Sequence, residues 1–400
     1  MNIGFFIQNT KRGGLDTFLI NLVSCWPNKK DKIFIFYNKN HKGIIDYKKK
    51  IQRKVFYKPY NYFLSQDIKN LKSNIIYRIY IKLLRYFLLL NSIYLKPYLF
   101  LKIFSSNKID KLLIINGGYQ GGEACNSALF GWSKYKPKDL AWYSFHNYAQ
   151  SDKSLFHFIE NFFRNLIDKK VLYCAKGLIS VSKSCLKSLK LRTKLNKTKK
   201  IVIYNGKNFS RKQNTLVCHN KNKIIVMLAV YEPRKGYEFI IKSMKIINKK
   251  NENIKLHIYG DGNPYEKKNI ESIINEYGLN DIVILKKFTQ DTKKVFTESD
   301  LVVIPSQRDE SFGYVAIEAF FYKKPIVACA VGGLKEVIRD NLDGYLVNKK
   351  NYKVFSKKIL NLLENKKLRE KFTKNGFLRY QRNFTANNMS KNYYNLIKND

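Results

Sequence analysis

The feature that most limits the fold is a repeated alternation of short apolar runs with helical patterns. In the first half, apolar runs recur from IGFFI at residues 3–7 to KIVIYNG at 200–206. Such runs, separated by helices, are typical of strands in a parallel sheet that is covered on both faces. The pattern restarts with KIIVMLAV at 223–230 and continues to GYLV at 344–347. We therefore predict an α/β protein with two doubly wound domains.

The stretch between the two halves of this pattern predicts a linker. Residues 207–222 are polar and follow no period, which is typical of a connection between domains. The predicted domains are residues 1–206 and 223–383. The tail, 384–400, has a helical pattern, and we expect it to pack back on the first domain. A length of 400 residues agrees with two domains rather than one core.

The charge balance is strongly basic. The chain has 75 Lys and Arg against 30 Asp and Glu, a formal net charge of +45. Such an excess usually indicates nucleic acid, anionic lipid or an anionic ligand. Lys, Asn, Ile, Tyr and Phe are abundant together and share AT-rich codons, so codon bias explains part of the lysine content. The chain has no recognisable nucleic-acid-binding module, so a nucleic-acid-binding protein is the alternative and not the main hypothesis.

The cysteines and the N-terminus indicate the cell compartment. None of the six cysteines forms a C-x-x-C pair, and their spacing resembles neither a metal site nor a disulfide framework. Reduced thiols in a cytosolic protein fit this pattern best. The start, MNIGFFIQNT, lacks the charged region and apolar run of a signal peptide. We therefore expect a cytoplasmic location.

One segment, residues 68–109, stands apart because it contains eight Lys or Arg and no acid. Arg78, Lys82, Arg85 and Lys96 fall on one helical face, and the remainder is largely apolar. The longest uncharged run has ten residues, fewer than the ~20 that span a bilayer. A basic helix on the inner, anionic surface of a membrane fits this pattern. An ordinary packed helix with a cationic face fits it equally well.

Two acids follow a predicted strand in the second half. The segment DESFGYVAIEAF, 309–320, comes directly after the apolar run DLVVIPS. Ligands of open α/β sheets bind beyond the carboxyl ends of strands, and Gly313 allows close approach to the backbone. The helix that starts there favours a diphosphate, while Glu310 and Glu318 can accept hydrogen bonds from hydroxyls on either side of it. This describes a nucleotide-sugar site. The alternative is a solvated helix start, where acids are common.

These acids lie within a longer stretch that resembles the family-4 retaining glycosyltransferases, which have the GT-B fold. The family signature is E-x7-E with F-G inside it, then a P-(I/V)-V run and G-G-x-x-E. The matching positions are Glu310, Phe312, Gly313, Glu318, Pro325, Gly332, Gly333 and Glu336. With AVYEPRKG at 229–236 and FHN at 145–147, the resemblance covers most of residues 140–350.

The resemblance implies a function and a mode of donor binding. Two Rossmann-like domains would face a central cleft, the first on the acceptor side and the second holding a nucleotide diphosphate sugar. The sugar would pass, with retention of configuration, to a glycan or lipid-linked acceptor in surface polysaccharide synthesis. The chain has no D-x-D motif, so no metal cofactor is expected; a lysine and a helix N-terminus would serve instead. The alternative within this fold is a nucleotide-sugar epimerase or hydrolase.

The resemblance also implies roles for residues of the second domain. Glu318 would bind the donor ribose. Glu310 would contact hydroxyls of the transferred sugar, with main-chain groups of Phe312 and Gly313 beside it. Lys235 would pair with the diphosphate, which gains charge in the transition state. The alternative for Lys235 is a solvated lysine in a turn.

The chain departs from the family next to this lysine. Where the family often has G-R-L, this chain has Ala229, Val230 and Tyr231, so a diphosphate-binding arginine is absent at Val230. We expect Arg234 to supply that charge.

Three residues of the first domain complete the predicted site. Gly13 and Gly14, in TKRGGLD after the first strand, resemble the glycine pair that approaches the donor phosphate or the acceptor. His146, after the run LAWYSF, matches a position near the donor sugar and is predicted to be catalytic with Glu310 and Lys235. A simple turn is the alternative for the glycines, and a buried core residue is the alternative for the histidine.

Overall fold

The structure is a computed structural model, and it describes residues 1–10, 12–64, 75–119, 122–149, 158–192, 195, 198–209, 222–289, 291–308 and 310–399. The chain divides into two compact units. The first contains Met1–Lys207 and Ala386–Asp400, and the second contains Asn208–Thr385. Most of the predicted linker, 210–221, lies outside the described residues. Phe209 packs in the second unit, with its ring 4.4 Å from that of Phe321.

The first unit is built on a parallel sheet of seven strands in the order β3-β2-β1-β4-β5-β6-β7. The strands are β1 (Asn2–Ile7), β2 (Lys32–Asn38), β3 (Val55–Tyr60), β4 (Lys111–Asn116), β5 (Ala141–Phe145), β6 (Ala175–Ser180) and β7 (Lys200–Val202). The helices that connect them are α1 (Gly14–Ser24), α2 (Ile44–Lys50), α3 (Ile75–Tyr94), α4 (Lys96–Ser106), α5 (Glu123–Tyr135), α6 (Phe158–Cys174) and α7 (Lys183–Lys187).

Strand β1 shows why this sequence forms a sheet with two covered faces. Alternate side chains of a strand point to opposite faces, and both faces of β1 are apolar. The Phe5 ring contacts Trp26, just beyond α1, at 5.3 Å. The Phe6 ring contacts Phe100 of α4 at 5.0 Å on the other face. Helices α1 and α4 therefore cover opposite faces of the central strand.

The second unit is a six-stranded parallel sheet in the order β10-β9-β8-β11-β12-β13. Its strands are β8 (Lys223–Leu228), β9 (Ile254–Gly260), β10 (Val283–Lys287), β11 (Leu301–Ile304), β12 (Ile326–Cys329) and β13 (Tyr345–Val347). Its helices are α8 (Tyr237–Asn248), α9 (Pro264–Glu276), α10 (Thr292–Thr297), α11 (Tyr314–Phe321), α12 (Leu334–Val337), α13 (Tyr352–Glu364) and α14 (Lys366–Asn383). The predicted fold class, two doubly wound α/β domains, is confirmed.

The last helix, α15 (Ala386–Lys398), lies in the first unit. It packs on α1, with the Tyr393 ring 5.6 Å from Phe18 and the Ser390 hydroxyl donating to the Leu22 carbonyl at 2.8 Å. The chain therefore leaves the first unit once and returns to it.

Helices α3 and α4 bear on the expectation that no segment spans a membrane. By length and composition, the stretch 79–106 is long and apolar enough to cross a bilayer, with a mean hydropathy of 1.3. The longest uncharged run within it has only ten residues. In the structure the stretch forms two helices, and Phe100 and Phe104 of α4 are fully buried against the sheet.

The predicted basic face of this segment is described only in part. The side chains of Arg78 and Lys82 lie outside the described part of the structure. Arg85 is partly buried. Lys96 is also partly buried, and its ammonium lies 5.4 Å from the centre of the Tyr62 ring. Neither of the two described cations is therefore part of a fully exposed basic face.

Candidate functional site

The two central strands of the second unit end at a place where a ligand can bind. Strands β8 and β11 are parallel neighbours, but the connection after β8 leads to β9 on one side and that after β11 leads to β12 on the other. The loops that follow these two strands diverge at this point. A crevice beyond the carboxyl ends of such strands is where open α/β sheets bind ligands.

Lys235 and Glu310 meet in this crevice. The Lys235 ammonium lies 2.8 Å from Glu310 Oε2, and the Ser306 hydroxyl donates to the same oxygen at 2.8 Å. Both charged side chains are about 15% exposed, so solvent reaches them only in part. An ammonium has three donors, so Lys235 can hold Glu310 and still donate to an anionic ligand. The pocket around this pair is also lined by Ala229 and Gly313.

Gly236 lets the two loops approach each other. Its φ is +80°, and a Cβ at this position would overlap the carbonyl oxygen of Pro305. The Gln307 N–H donates to the Arg234 carbonyl at 2.7 Å, which joins the same two loops. A residue with a side chain at 236 would push the loops apart. The position of Lys235 relative to Glu310 therefore depends on this glycine.

The helix that follows Glu310 begins at the pocket. Gly313 has a φ of +117° and precedes α11, and a Cβ there would lie 2.7 Å from Leu334 Cδ2. Because the amide end of a helix carries partial positive charge, the start of α11 adds to the field of Lys235. The two together favour an anion at the pocket.

A second glycine supports the loop that carries Glu310. The Gly333 N–H donates to the Glu310 carbonyl at 2.7 Å. A Cβ on Gly333 would lie 2.6 Å from the carbonyl oxygen of Ser311 and 2.8 Å from Phe312 Cα. Gly333, which follows β12, therefore holds the Glu310 loop in place.

Three other predicted residues occupy different surroundings. The Phe312 side chain is a core residue that packs on Tyr314 and Phe384, so only its main chain can serve a ligand. Glu318 is buried in α11 and is not among the residues that line the pocket around Lys235. Arg234 forms an ion pair with Glu232, with 2.6 Å between Nε and Oε2. Its guanidinium is therefore already engaged by a carboxylate.

The first unit has an equivalent position between β1 and β4. Gly13 and Gly14 follow β1 and start α1, and a Cβ on either would meet no atom of the described residues within 4 Å. Gly13 has a φ of −177°, an extended conformation that any residue adopts. The two glycines therefore leave the start of α1 uncovered, rather than relieving strain.

A buried acid anchors this glycine loop. Asp16 accepts hydrogen bonds from the Gly13 N–H at 2.8 Å and from the Tyr47 hydroxyl at 2.6 Å, and His41 Nε2 lies 3.1 Å from it. Burial alone would raise the pKa of Asp16, but the hydrogen bonds from His41, Tyr47 and Gly13 outweigh it and lower that pKa. The main chain of the glycine loop is therefore held by a carboxylate whose ionised form is stabilised.

His146 lies against α1, the helix that this loop precedes. Its main-chain N–H donates to the Asn116 carbonyl at 3.1 Å, and its ring centre is 4.1 Å from that of Phe18. Burial lowers its pKa to about 3, so the ring is neutral at neutral pH. His146 Nε2 is 3.1 Å from the Ser144 hydroxyl, which is 3.0 Å from the Tyr393 hydroxyl. The ring can therefore act through hydrogen bonds but not as a cation.

Sequence reasoning missed several residues that shape these two positions. Ser306, Asp16 and Tyr393 were not singled out, although each contacts a predicted residue or its immediate neighbour. Ser306 stands four residues before Glu310 in a loop, where no periodic pattern indicates a contact. Tyr393 and Ser144 are 249 residues apart in sequence, so no local pattern could pair them.

No metal site is evident in the part of the chain that the structure describes. There, no group of three or more His, Cys, Asp or Glu side chains could hold a metal ion. None of the described cysteines forms a disulfide. That the reaction needs no metal stays a prediction.

Comparison with known proteins gives matches that lie largely in the second unit. Residues 206–379 match the family described as glycosyl transferases group 1. The chain is 34% identical, over 181 residues, to an uncharacterized glycosyltransferase of Methanocaldococcus jannaschii. That match covers 45% of this chain and 48% of the relative.

Two relatives from Staphylococcus aureus have described activities. One, from strain COL, is a poly(ribitol-phosphate) alpha-N-acetylglucosaminyltransferase, 32% identical over 42% of this chain and 34% of its own length. The other is the capsular polysaccharide biosynthesis glycosyltransferase CapM, 29% identical over 55% of this chain and 61% of its own length. The chain thus spans between a third and about three fifths of the length of these curated relatives.

Solved structures resemble the whole chain. The Anabaena protein HepE, solved with UDP and glucose, has a TM-score of 0.70 and 16% identity over all of this chain and 99% of its own. A glycosyltransferase from Rickettsia africae has a TM-score of 0.74 and 16% identity over all of this chain and 98% of its own. The chain therefore has the GT-B fold, and residues 206–379 match the model of group 1 glycosyl transferases.

Proposed function

We propose that the protein is a retaining glycosyltransferase of family 4 that takes a sugar from a nucleotide diphosphate donor. The acceptor is a glycan or a lipid-linked oligosaccharide in surface polysaccharide synthesis, and the protein works in the cytoplasm, at the inner face of the membrane. The observation that carries this proposal is the Lys235–Glu310 pair beside the start of α11. The activities of the two Staphylococcus aureus relatives support the choice of acceptor class.

The donor diphosphate lies at the start of α11 in this proposal. The Lys235 ammonium and the helix amides neutralise the charge that the diphosphate gains as the sugar leaves. Arg234 adds a second cation when it exchanges Glu232 for the diphosphate. Glu310 accepts hydrogen bonds from the sugar hydroxyls, and Glu318 accepts those of the ribose. Structures of HepE with UDP support a uridine nucleotide as the first donor to test.

The reaction proceeds on one face of the sugar. The bond between the anomeric carbon and the diphosphate oxygen breaks, and the acceptor oxygen bonds to the same carbon from the same side. The acceptor proton passes to the diphosphate oxygen that leaves. Neutral His146, together with Gly13 and Gly14, serves to position the acceptor or the donor sugar through hydrogen bonds and close backbone approach.

A donor screen followed by product analysis tests this proposal. We expect one nucleotide-sugar in a panel of UDP-, GDP- and dTDP-linked sugars to raise the melting temperature, since ligand at a hundred times its Kd adds about 2.7 kcal/mol. NMR of the anomeric proton in the product should then show the donor's configuration. Inverted product would overturn the retaining mechanism. Free sugar or an epimerised donor without transfer would identify a hydrolase or an epimerase.

A further inference from the structure

The outer face of α3 is apolar along its whole described length. Every α3 side chain that the structure describes as exposed is apolar or aromatic. Their exposed fractions range from 40% for Leu90 to 62% for Phe87. These side chains are Ile79, Tyr80, Leu83, Phe87, Leu90 and Tyr94. Spacings of three and four residues place them on one stripe of the helix, here called the α3 stripe.

The opposite face of α3 is fixed to the rest of the first unit. Ile81 and Ile93 are buried, and the Tyr86 ring stacks on Phe163 of α6 at 5.2 Å. The Lys170 ammonium donates to the Ile93 carbonyl at 2.6 Å. A surface helix normally turns its apolar face inward and its polar face to water. Because α3 is anchored in this way, its stripe cannot rotate into the core.

The apolar surface continues beyond α3. Leu95 and the α4 residues Tyr98 and Leu99 are exposed as well. Phe162 of α6 is exposed, and its ring lies 5.7 Å from that of Phe163, which packs against α3. Contiguous apolar surface of this kind marks an interaction site.

Cations accompany the tyrosines of this surface. The Lys134 ammonium is 4.5 Å from the Tyr98 ring centre and donates to the Tyr98 hydroxyl at 3.2 Å. The Lys170 ammonium is 4.7 Å from the Tyr94 ring centre. Tyrosines paired with lysines beside an apolar surface are typical of the boundary between lipid and water. The segment 68–109 contains eight Lys or Arg, which attract an anionic surface, and no acid that would repel it.

We propose that the α3 stripe docks on the surface of an anionic bilayer, with α3 lying in the plane of the membrane. A second copy of the chain is a poor occupant because a protein of net charge +45 repels itself. A membrane-spanning arrangement would remove Phe100 and Phe104 from the core of the first unit. A helix that lies at the interface keeps those contacts and buries the stripe.

The proposed function places the protein at the membrane. This inference rests on that proposal and names the surface of the protein that contacts the lipid. Its test measures vesicle binding rather than sugar transfer, so the two can fail separately. A chain that binds vesicles but transfers no sugar would retain the docking surface and lose the proposed activity.

The test is co-sedimentation of the full chain with vesicles. One set contains phosphatidylcholine alone, and the other contains equal parts of phosphatidylcholine and phosphatidylglycerol. The variant Leu83→Gln/Phe87→Gln removes the two most exposed side chains of the stripe. The control, Phe288→Gln/Leu342→Gln, changes the same residue types at exposed positions of the second unit.

We expect the wild type and the control to bind the anionic vesicles and the stripe variant to bind at least tenfold more weakly. Binding should fall as salt is raised, because screening weakens the attraction between lysines and lipid. An unchanged melting temperature shows that the stripe variant is folded, as expected for exposed side chains.

Four results would overturn the proposal. These are a wild type that stays in the supernatant, a stripe variant that binds like the control, and equal binding to neutral and anionic vesicles. The fourth is bound protein that resists alkaline carbonate extraction, which would identify a spanning helix.

Discussion

Replacing Gly236 by alanine tests whether the two loops of the second unit must touch for Lys235 to reach Glu310. Gly236 adopts φ +80°, a conformation that costs an alanine roughly 1–2 kcal/mol. The added Cβ would also lie 2.9 Å from the carbonyl carbon of Pro305 and overlap its oxygen. Relief of such backbone overlap costs about 1–3 kcal/mol more. We therefore expect a loss of roughly 2–5 kcal/mol in the free energy of unfolding.

Gly278→Ala is the matched control. Gly278 also has positive φ, +66°, but within the described structure a Cβ there would meet nothing closer than 4 Å. Its replacement should cost only the conformational part, about 1–2 kcal/mol. Urea denaturation followed by circular dichroism measures both variants. If Gly236→Ala is no more destabilising than Gly278→Ala, the contact between the loops does not stabilise the site.

Three further variants test single residues of the candidate site. Lys235→Ala should lower kcat more than donor affinity in steady-state kinetics, because charge builds on the diphosphate in the transition state; equal loss in both would assign the lysine to ground-state binding. Glu318→Gln should weaken donor binding by roughly 1.5–3 kcal/mol in calorimetric titration, and an unchanged Kd would remove Glu318 from the site. Because the pKa of His146 is lower in the folded protein than in the unfolded chain, the unfolded chain is protonated at this residue at a higher pH. His146 should therefore reduce the free energy of unfolding as the pH falls from 6.5 towards about 3. His146→Gln should flatten that part of the stability curve measured by urea denaturation, whereas an unaltered curve would contradict a neutral ring with a lowered pKa.

The sequence was sufficient to predict the two parallel sheets because buried parallel strands leave a strong local signal. IGFFI and LVVI are continuous apolar runs, and both are buried central strands. The contact between Lys235 and Glu310 was not itself predicted, but the motif placed both residues at one ligand site. Each follows a neighbouring central strand, so the sheet brings their loops together.

The orientation of α3 could not be predicted in the same way. The spacing of Arg85 and Lys96 indicated a polar and an apolar face, but periodicity does not state which face meets the protein. That choice depends on what α6 offers, here the Phe163 ring and the Lys170 ammonium. The helix therefore exposes the face that a local rule would bury.

Tyr393 illustrates a second limit. Its contact with Ser144 depends on the return of α15 to the first unit, across 249 residues. A helical pattern in the tail predicted the helix, but no pattern identified the hydroxyl to which it bonds.

The return of α15 to the first unit also determines which unit can be completed first during translation. Because the second unit, Asn208–Thr385, is continuous in sequence, it has all its residues before α15 emerges from the ribosome. The first unit begins earlier but lacks the helix that covers Phe18 and Trp26 until residues 386–398 have been made. N-terminal domains usually fold first during translation. Here the first unit is completed only after the second unit has been made, and its uncovered face is the surface that a nascent-chain chaperone would meet.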